Sequence, residues 1–441
     1  MDKMDKMDRK CILFRWEKGP RVLLVPEAGV GTVYVEMVVN CGSFMDPAKE
    51  LEVSHLLEHM QGNFTSVRYP DAKKIRERFE RYGCKMNAVT YTGQTKYYVI
   101  CLKKYFPKVL SIFLESFTHF HLDKSEFSSE KASVVTEIKQ NDVEDIWESF
   151  YTTIQKQLYG PNIPAAWATP EERIKATKKL QVKDVLKFRK KYYENPELYT
   201  LTVAGDFPTS DTLLVIRQKF VKPITKVKMV PSMDLLPIAV IPTFPLVITE
   251  KRKEVYVKNT KTGSNNYKIR MIWGIGNTIT PLDPKKCAAV NILCLTLTSG
   301  MSSRLYELLR IKEKMVYSVQ CDFNPDYYGS GLFLIRTETS KKNLKRLVGL
   351  VERELQKLSK EKMSSVELEG VKNTAMMTFY QESQDISPEK FADFYSYQIS
   401  FDKPLRTYAE QKKAYEKTTA DDVLQVCKEI LACNQLIVYS G

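Results

Sequence analysis

Two halves of this chain repeat the same order of secondary-structure signals, and this duplication constrains the fold more than any other feature. Each half closes with a helical stretch followed by an apolar strand. In the first half the helix begins at 184–186 and the strand is 201–205. In the second half the helix begins at 422–424 and the strand is 436–441. The helix signals lie 238 residues apart, and the closing glycines, Gly205 and Gly441, lie 236 apart. Such a nearly constant offset indicates two copies of one structural unit.

Each half also begins with a strand pattern. Residues 33–39 and 267–273 read as strands, and each is followed by a small-residue turn and then a helical stretch. Strands and helices mixed in this way predict an α+β fold with two homologous domains, each a mainly antiparallel sheet packed with helices. The pattern does not specify the order of the strands.

Prolines mark the boundary between the halves. Five of the twenty prolines lie within 23 residues: Pro223, Pro231, Pro237, Pro242 and Pro245. A cluster of this kind resists both helix and sheet, as a linker does. We therefore predict an N-terminal domain at 1–221, a linker at 222–248 and a homologous C-terminal domain at 249–441.

Charge and composition argue against several function classes. The net charge of +14 permits attraction to nucleic acid, but lysines alternate with acids along stretches such as 341–362, and no zinc-finger spacing occurs. No apolar run is long enough to span a membrane, and the first nine residues alternate in charge, unlike a signal peptide. We expect a cytoplasmic protein with neither nucleic-acid nor membrane partners. Its nine scattered cysteines then indicate reduced thiols.

The motif His55-Leu56-Leu57-Glu58-His59 points to metal chemistry, and it holds two of the four histidines in the chain. Positions i and i+4 of a helix share a face, so both imidazoles can reach one zinc ion, while Glu58 lies close enough to activate a water. The alternative is a pair of helix histidines that merely pack or pair with an acid. A structural zinc site, however, needs no carboxylate between its histidines.

A catalytic zinc site needs a third protein ligand, and we expect an acidic one. The remaining histidines, His119 and His121, alternate along a short stretch and fit a structural role. A helix predicted at 129–157 carries Glu130, Glu137 and Glu144 at heptad spacing. Because this spacing is also typical of a solvated helix face, periodicity alone does not choose among the three.

The histidine motif at 55–59, followed by Glu130 and Glu137, resembles the pattern of the pitrilysin or insulinase family of zinc metallopeptidases, the inverzincins. The family's third ligand lies nearly eighty residues past the second histidine, so the resemblance assigns Glu137 as the third ligand of one zinc ion per chain. It makes Glu130 an acid that supports the ligands and tunes the catalytic site. Residues 41–43 match the turn before the family's zinc helix.

The resemblance also assigns substrate-binding residues. Asn87, Ala88 and Thr90 match the edge strand on which family members pair an extended peptide. Arg310 and Tyr317 resemble the family's Arg and Tyr pair, which holds the peptide backbone and stabilises the oxyanion. No histidine occurs in the second half, so we expect that half to complete a site rather than to hold its own zinc.

The chain departs from the family pattern at several positions. Glu52 stands where family members usually have glycine, three positions before the first histidine, and Gly62 replaces an aromatic residue. We interpret both as packing positions. Val316 and Ala168 each replace a typical glycine, which predicts differently shaped loops. None of these departures removes a ligand.

The resemblance implies a zinc-dependent endopeptidase that hydrolyses unfolded peptides inside a chamber formed by a homodimer. In this interpretation Glu58 is the general base, and Arg310 and Tyr317 of one subunit face the zinc of the other. The alternative is a non-catalytic chamber or structural subunit of the same fold that needs a partner. That class usually loses zinc ligands or the general base, whereas this chain keeps them all.

Overall fold

The chain forms two sheets, each packed against helices, in a computed structural model. This architecture confirms the predicted α+β fold class. The structure describes residues 11–16, 18–143, 146–225, 229–230, 244–257, 266–276, 279, 283–324, 331–384, 387–400 and 406–441.

The strands of the described residues divide between the two sheets. Those of the first sheet are β1 (Ile12–Trp16), β2 (Arg21–Pro26), β3 (Thr32–Val39), β4 (Lys85–Thr90), β5 (Thr95–Leu102), β6 (Tyr199–Gly205) and β7 (Met229–Val230). Those of the second sheet are β8 (Arg252–Val257), β9 (Asn266–Gly274), β10 (Val319–Asn324), β11 (Leu332–Ser340) and β12 (Gln435–Ser440).

The α-helices of the described residues fall into the same two halves of the chain. The first half contains α1 (Val53–Gly62), α2 (Ala72–Arg81), α3 (Phe106–Thr118), α4 (Phe127–Val143), α5 (Ile146–Tyr159), α6 (Pro170–Lys179), α7 (Val182–Tyr193), α8 (Thr209–Ile216) and α9 (Lys222–Ile224). The second half contains α10 (Pro284–Thr298), α11 (Leu344–Leu358), α12 (Ser365–Gln384), α13 (Pro388–Ser400), α14 (Tyr408–Lys417) and α15 (Ala420–Ala432). Arg217–Val221 and Tyr306–Lys312 are π-helices.

The five strands of the second sheet repeat the order of β4, β5, β3, β6 and β2 in the first, an order that the sequence pattern had left open. The first sheet has the order β4-β5-β3-β6-β2-β1-β7 and the second has β10-β11-β9-β12-β8. The equivalent pairs β2 with β6 and β8 with β12 are parallel, and the other pairs are antiparallel. This correspondence shows that the repeated signals reflect two copies of one fold.

The described residues cluster into two compact units that exchange helices. The first unit contains β1–β7, α1–α4 and α6–α9, together with α13 from the second half of the chain. The second unit contains β8–β12, α10–α12, α14 and α15, together with α5 from the first half. The predicted helix at 129–157 corresponds to α4 and α5, which belong to different units, and residues 144 and 145 between them lie outside the described residues. The predicted linker at 222–248 lies largely outside the described residues, and its boundaries stay a prediction.

Helix α13 covers one face of the first sheet, where it packs on β2, β3 and β6. Its inward stripe is buried and consists of Phe391, Ala392, Tyr395 and Ile399. At the end of the helix, Nδ2 of Asn40 donates to the carbonyl oxygen of Ser400 at 2.5 Å. Apolar burial and a buried hydrogen bond therefore both fix α13 in the first unit. Among the described residues, no helix combines the length and apolar character needed to cross a bilayer.

A buried carboxyl group lies beneath α13. Glu36 on β3 is fully buried, and the hydroxyl group of Tyr34 donates to its Oε2 at 2.8 Å. Nζ of Lys96 lies 3.6 Å from Oε2 of Glu36 and 2.6 Å from Oδ1 of Asp393 on α13. Burial, only partly offset by Lys96, raises the pKa of Glu36 from 4.5 to about 7.

This raised pKa predicts that Glu36 makes the stability of the first unit depend on pH. The folded state holds the proton more tightly than the unfolded state, so the carboxyl group destabilises the fold increasingly as pH rises from about 4.5 to 7. We expect Glu36→Gln, which cannot ionise, to gain about 2 to 3 kcal/mol relative to the wild type between pH 5 and pH 8. Urea unfolding followed by circular dichroism at several pH values measures this difference.

Glu77→Gln on α2 is the control, because the Glu77 side chain is 61% exposed. Parallel pH profiles for the wild type and Glu36→Gln would contradict the prediction.

Candidate active site

Helix α1 is held by its apolar face and presents a polar face to a cleft. Its core-facing positions follow the i, i+3, i+4, i+7 pattern of an amphipathic helix and are Val53, Leu56, Leu57 and Met60. His55 and His59, four residues apart, therefore lie together on the other side. Their rings are 5.0 Å apart between centroids.

The start of α1 is fixed by a buried carboxylate outside the helix. The backbone N–H groups of Glu52 and Ser54 donate to Asp46, at 2.8 and 3.1 Å. These contacts satisfy donors that the first turn of a helix leaves unpaired. Asp46 thus supplies the cap and leaves the Glu52 side chain available for another contact.

The turn before α1 brings β4 to the site. The N–H of Ser43 donates to the carbonyl oxygen of Tyr91 at 3.0 Å, just beyond the end of β4. A Cβ atom at Gly42 would lie only 2.1 Å from the same carbonyl oxygen. Only glycine permits this approach, which explains the small residue in the turn at 41–43.

Three side chains converge at the polar face of α1. Nε2 of His55 lies 3.2 Å from Oε2 of Glu137, and Nε2 of His59 lies 3.6 Å from Oε1 of the same carboxylate. Two imidazole nitrogens and one carboxylate oxygen are the donor set of a catalytic zinc site. Atoms of His55, Glu58 and His59 suitable for metal binding also lie within 4.8 Å of one another. The structure therefore brings together the residues proposed as ligands and general base.

The second nitrogen of each imidazole contacts another carboxylate. Nδ1 of His59 lies 2.9 Å from Oε2 of Glu130, whose other oxygen accepts a hydrogen bond from Nδ2 of Asn63 at 3.1 Å. Nδ1 of His55 lies 2.9 Å from Oε2 of Glu52. Nε of Arg173 donates to Oε1 of Glu52 at 2.7 Å. Since both Nδ1 atoms are engaged, both Nε2 atoms remain available to a metal ion.

These carboxylates set the protonation of the site. Burial lowers the pKa of His55, but hydrogen bonds to Glu137 and Glu52 outweigh this effect and raise it to about 10. Burial also opposes ionisation of Glu52, yet His55 and Arg173 lower its pKa to about 2. Hydrogen bonding to His55 likewise lowers the pKa of Glu137. The site is therefore a cluster of carboxylates that attracts cations.

Glu58 differs from the other acids of the cluster. It is buried, and burial raises its pKa, although the neighbouring histidines and a hydrogen bond partly oppose this effect. That hydrogen bond comes from the hydroxyl group of Thr90, at 3.3 Å from Oε2. A raised pKa makes a carboxylate a stronger base, and orientation by a neighbour suits it to accept a proton.

The site opens into a cleft of about 640 Å³. One wall is the strand β4, where Asn87, Ala88 and Thr90 line the cleft beside His55 and His59. Strand β4 is the outer strand of its sheet, and no strand of the described residues pairs with its free edge. Its unpaired backbone groups can bind an extended chain.

Arg310 and Tyr317 form a pair in the second unit. Arg310 lies in the π-helix Tyr306–Lys312, and its Nη1 donates to the carbonyl oxygen of Tyr317 at 2.6 Å. Its guanidinium lies 4.5 Å from the Tyr317 ring centroid, and Tyr317 is 82% exposed. The roles assigned to this pair, and to the cleft residues, stay predictions.

Some side chains that support the site were not predicted from the sequence. Glu52, treated there as a packing position, contacts His55, and Arg173 and Asn63 hold the two supporting carboxylates. The position of Glu52, three residues before His55 and directly before α1, could have revealed the first contact. No sequence signal pointed to Arg173 or Asn63. Glu144, the third acid of the predicted stripe, lies outside the described residues.

Comparison with known proteins gives matches along most of the chain. The family model described as Insulinase (Peptidase family M16) matches residues 21–161, and the model described as Peptidase M16 inactive domain matches residues 179–375. An uncharacterized zinc protease of Rickettsia felis is 26% identical over 357 residues, which cover 80% of this chain and 79% of that protein. The uncharacterized zinc protease YmxG of Bacillus subtilis is 25% identical over 357 residues, covering 81% of this chain and 80% of that protein.

Solved structures agree on the fold. The crystal structure of a protease from Helicobacter pylori superposes with a TM-score of 0.75 at 20% identity, covering 98% of this chain and 99% of that one. The family models and the zinc protease relatives confirm the sequence resemblance to the pitrilysin or insulinase family. With both halves matched by its models, the chain belongs to the insulinase family of peptidases, M16.

Proposed function

We propose that this protein is a zinc-dependent endopeptidase that hydrolyses unfolded peptides. The observation that carries the proposal is the convergence of His55, His59 and Glu137 with Glu58 beside them. The relatives named zinc proteases in Rickettsia felis and Bacillus subtilis support it.

The donor set fits one zinc ion per chain. His55 and His59 would bind through Nε2 and Glu137 through its carboxylate, which leaves a coordination position open. The nearby carboxylates favour protonated imidazoles, and zinc competes with those protons for the same nitrogens. Bound zinc supplies a Lewis acid that polarises the peptide carbonyl and favours deprotonation of water.

Glu58 then performs the proton transfers. Its carboxylate accepts a proton from the attacking water and delivers it to the nitrogen of the leaving amine. The hydrogen bond from Thr90 orients Oε2, and burial raises the pKa of Glu58, which makes it a stronger base. Asn87 and Ala88 of the free edge of β4 would pair with the backbone of the peptide.

An extended peptide is the substrate class that this cleft favours, because pairing with β4 requires an unpaired backbone. Arg310 and Tyr317 would bind the peptide backbone and stabilise the negative oxygen of the tetrahedral intermediate. We further propose that two copies of the chain form a homodimer with an enclosed chamber. This proposal is supported by the presence of both the proposed ligands and the Arg310–Tyr317 pair in one chain.

A non-catalytic chamber subunit is the alternative function. The family resemblance allows it, but the convergence of His55, His59 and Glu137 and the buried Glu58 favour the enzyme.

Glu58→Gln tests the proposed function directly. We expect the zinc-loaded wild type to cleave a mixture of unstructured peptides, and the variant to lose about 10²- to 10⁴-fold in activity because glutamine cannot accept the proton. Mass spectrometry of the products and the zinc content of both proteins are the measurements. The variant should keep its zinc.

Glu77→Gln, at an exposed position on α2, serves as the matched control and should retain wild-type activity. A wild type that binds zinc and cleaves no peptide would favour the chamber subunit, and a fully active Glu58→Gln protein would exclude Glu58 as the base.

Glu52 has the geometry of a positioning residue for His55. Its backbone has φ 69°, a left-handed conformation that costs a residue with a side chain about 1 kcal/mol. In return, its carboxylate joins His55 to Arg173 and fixes the direction of the imidazole. Glycine would avoid the strain but would provide no such contact.

Glu52→Gln should therefore weaken zinc binding. Glutamine has nearly the same shape but is a weaker acceptor for Nδ1 of His55, so we expect the zinc affinity to fall about 10- to 100-fold. Competition with a chromophoric chelator measures the affinity without reference to activity. Glu50→Gln is the control, since Glu50 pairs with Lys187 instead of a histidine. Equal zinc affinities for the wild type and Glu52→Gln would refute the positioning role.

A further inference from the structure

Two of the nine cysteines meet in the second unit. Sγ of Cys321 donates to Sγ of Cys294 at 3.0 Å. This separation is only about 1 Å longer than the sulfur–sulfur bond of a disulfide, so a bond between the two atoms requires little movement. The residues are 27 positions apart in sequence and lie on β10 and α10, so their approach is a result of folding.

The packing of α10 on β10 brings the two side chains together at the margin of the core. Cys294 lies one turn before the end of α10 and is 7% exposed. Cys321 lies on β10, where it shares a face of the strand with Val319 and Phe323, and it is half-buried. One sulfur is therefore enclosed, and the other can be reached by a small molecule from the solvent.

Thr298 links the backbones of the two cysteines. Its hydroxyl oxygen accepts a hydrogen bond from the N–H of Cys321 at 3.1 Å, and its hydroxyl group donates to the carbonyl oxygen of Cys294 at 3.2 Å. Two cysteines can also meet simply as small apolar residues of a core. Here, however, polar contacts fix the backbone of one cysteine relative to the other, so more than apolar packing holds the thiols together.

The surroundings of the pair favour a slow reaction between these two thiols. Burial, followed by the hydrogen bond to Cys294, raises the pKa of Cys321 well above its usual value. Because the thiolate is the reacting form, exchange at neutral pH is slow and requires sustained oxidising conditions. The nearby thiol of Cys427 is buried and donates to the carbonyl oxygen of Leu355 at 3.3 Å, so it is engaged elsewhere.

We propose that Cys294 and Cys321 form a reversible redox site, which a low-molecular-weight disulfide such as glutathione disulfide oxidises to a protein disulfide. The thiolate of Cys321, the more exposed residue, attacks one sulfur of glutathione disulfide. This step forms a mixed disulfide and releases one glutathione thiolate. The thiolate of Cys294 then attacks the sulfur of Cys321 and releases the second glutathione. The two protein thiols lose two electrons and two protons, and one glutathione disulfide becomes two glutathione thiols.

The new bond would close a loop that contains Arg310 and Tyr317. The segment 299–318 joins α10 to β10 and includes the π-helix Tyr306–Lys312. A cross-link at the base of a loop reduces the number of open conformations available to it. Oxidation should therefore restrain the segment that carries Arg310 and Tyr317. This expectation goes beyond the proposed function and does not depend on it.

Oxidation of the full-length, folded protein by glutathione disulfide tests the site. After incubation of the reduced wild type, we expect peptide mapping by mass spectrometry to find a disulfide between Cys294 and Cys321, which dithiothreitol reverses. Cys294→Ala removes the second thiol, so glutathione should remain attached to Cys321. Cys287→Ala, on the same helix, is the matched control and should form the disulfide as the wild type does.

Failure of the folded wild type to form this disulfide would overturn the inference. Its formation only after unfolding in urea would do the same, because the reaction would then owe nothing to the folded geometry. Mapping of the wild type requires no variant, so it decides the question even if Cys294→Ala does not fold.

Hydrogen exchange measures the effect on the loop. In peptides from 299–318, we expect exchange to be about tenfold slower in the oxidised wild type than in the reduced wild type. Cys294→Ala, treated with the same oxidant, should show no such change. Equal exchange in the two wild-type forms would refute the restraint of this segment. Since neither measurement uses peptide cleavage, failure of the proposed function would leave both results interpretable.

Discussion

The site depends on the pairing of the Nδ1 atom of each histidine of α1 with a carboxylate. Glu52 contacts Nδ1 of His55 and Glu130 contacts Nδ1 of His59, both at 2.9 Å. Without these contacts the imidazoles could rotate, and their Nε2 atoms would not converge on Glu137. The pairing also makes both rings better electron donors. Arg173 and Asn63 in turn keep these carboxylates in place.

The fold holds this arrangement from several directions. Asp46 caps the start of α1, Gly42 allows the end of β4 to approach, and Asn63 at the end of α1 binds Glu130. Arg173 reaches Glu52 from α6. Because these contacts come from separate elements, the geometry of the site is a property of the packed first unit and not of α1 alone.

Sequence reasoning predicted the parts of the site that follow a local pattern. The helical spacing of His55 and His59 was sufficient to place them on one face, and the family resemblance selected Glu130 and Glu137 from a stripe that periodicity left ambiguous. Glu52 was interpreted as a packing position because it replaces a glycine of the family pattern. Its contact with His55 is held by Arg173, which lies 121 residues away in sequence. The exchange of α5 and α13 was also missed, since periodicity shows which face of a helix is apolar and not which sheet that face covers.

The exchanged helix α13 has a consequence for how the protein is made. The first sheet, which lies beside the proposed zinc site, ends in sequence with β7. The helix that covers its strands β2, β3 and β6, however, is encoded at residues 388–400. During synthesis the N-terminal half therefore leaves the ribosome with this face uncovered, and its folding ends only after most of the second half has been translated. A chain that stops before α13 would lack the cover of its first unit, so the intact ligand motif alone would not guarantee a stable site.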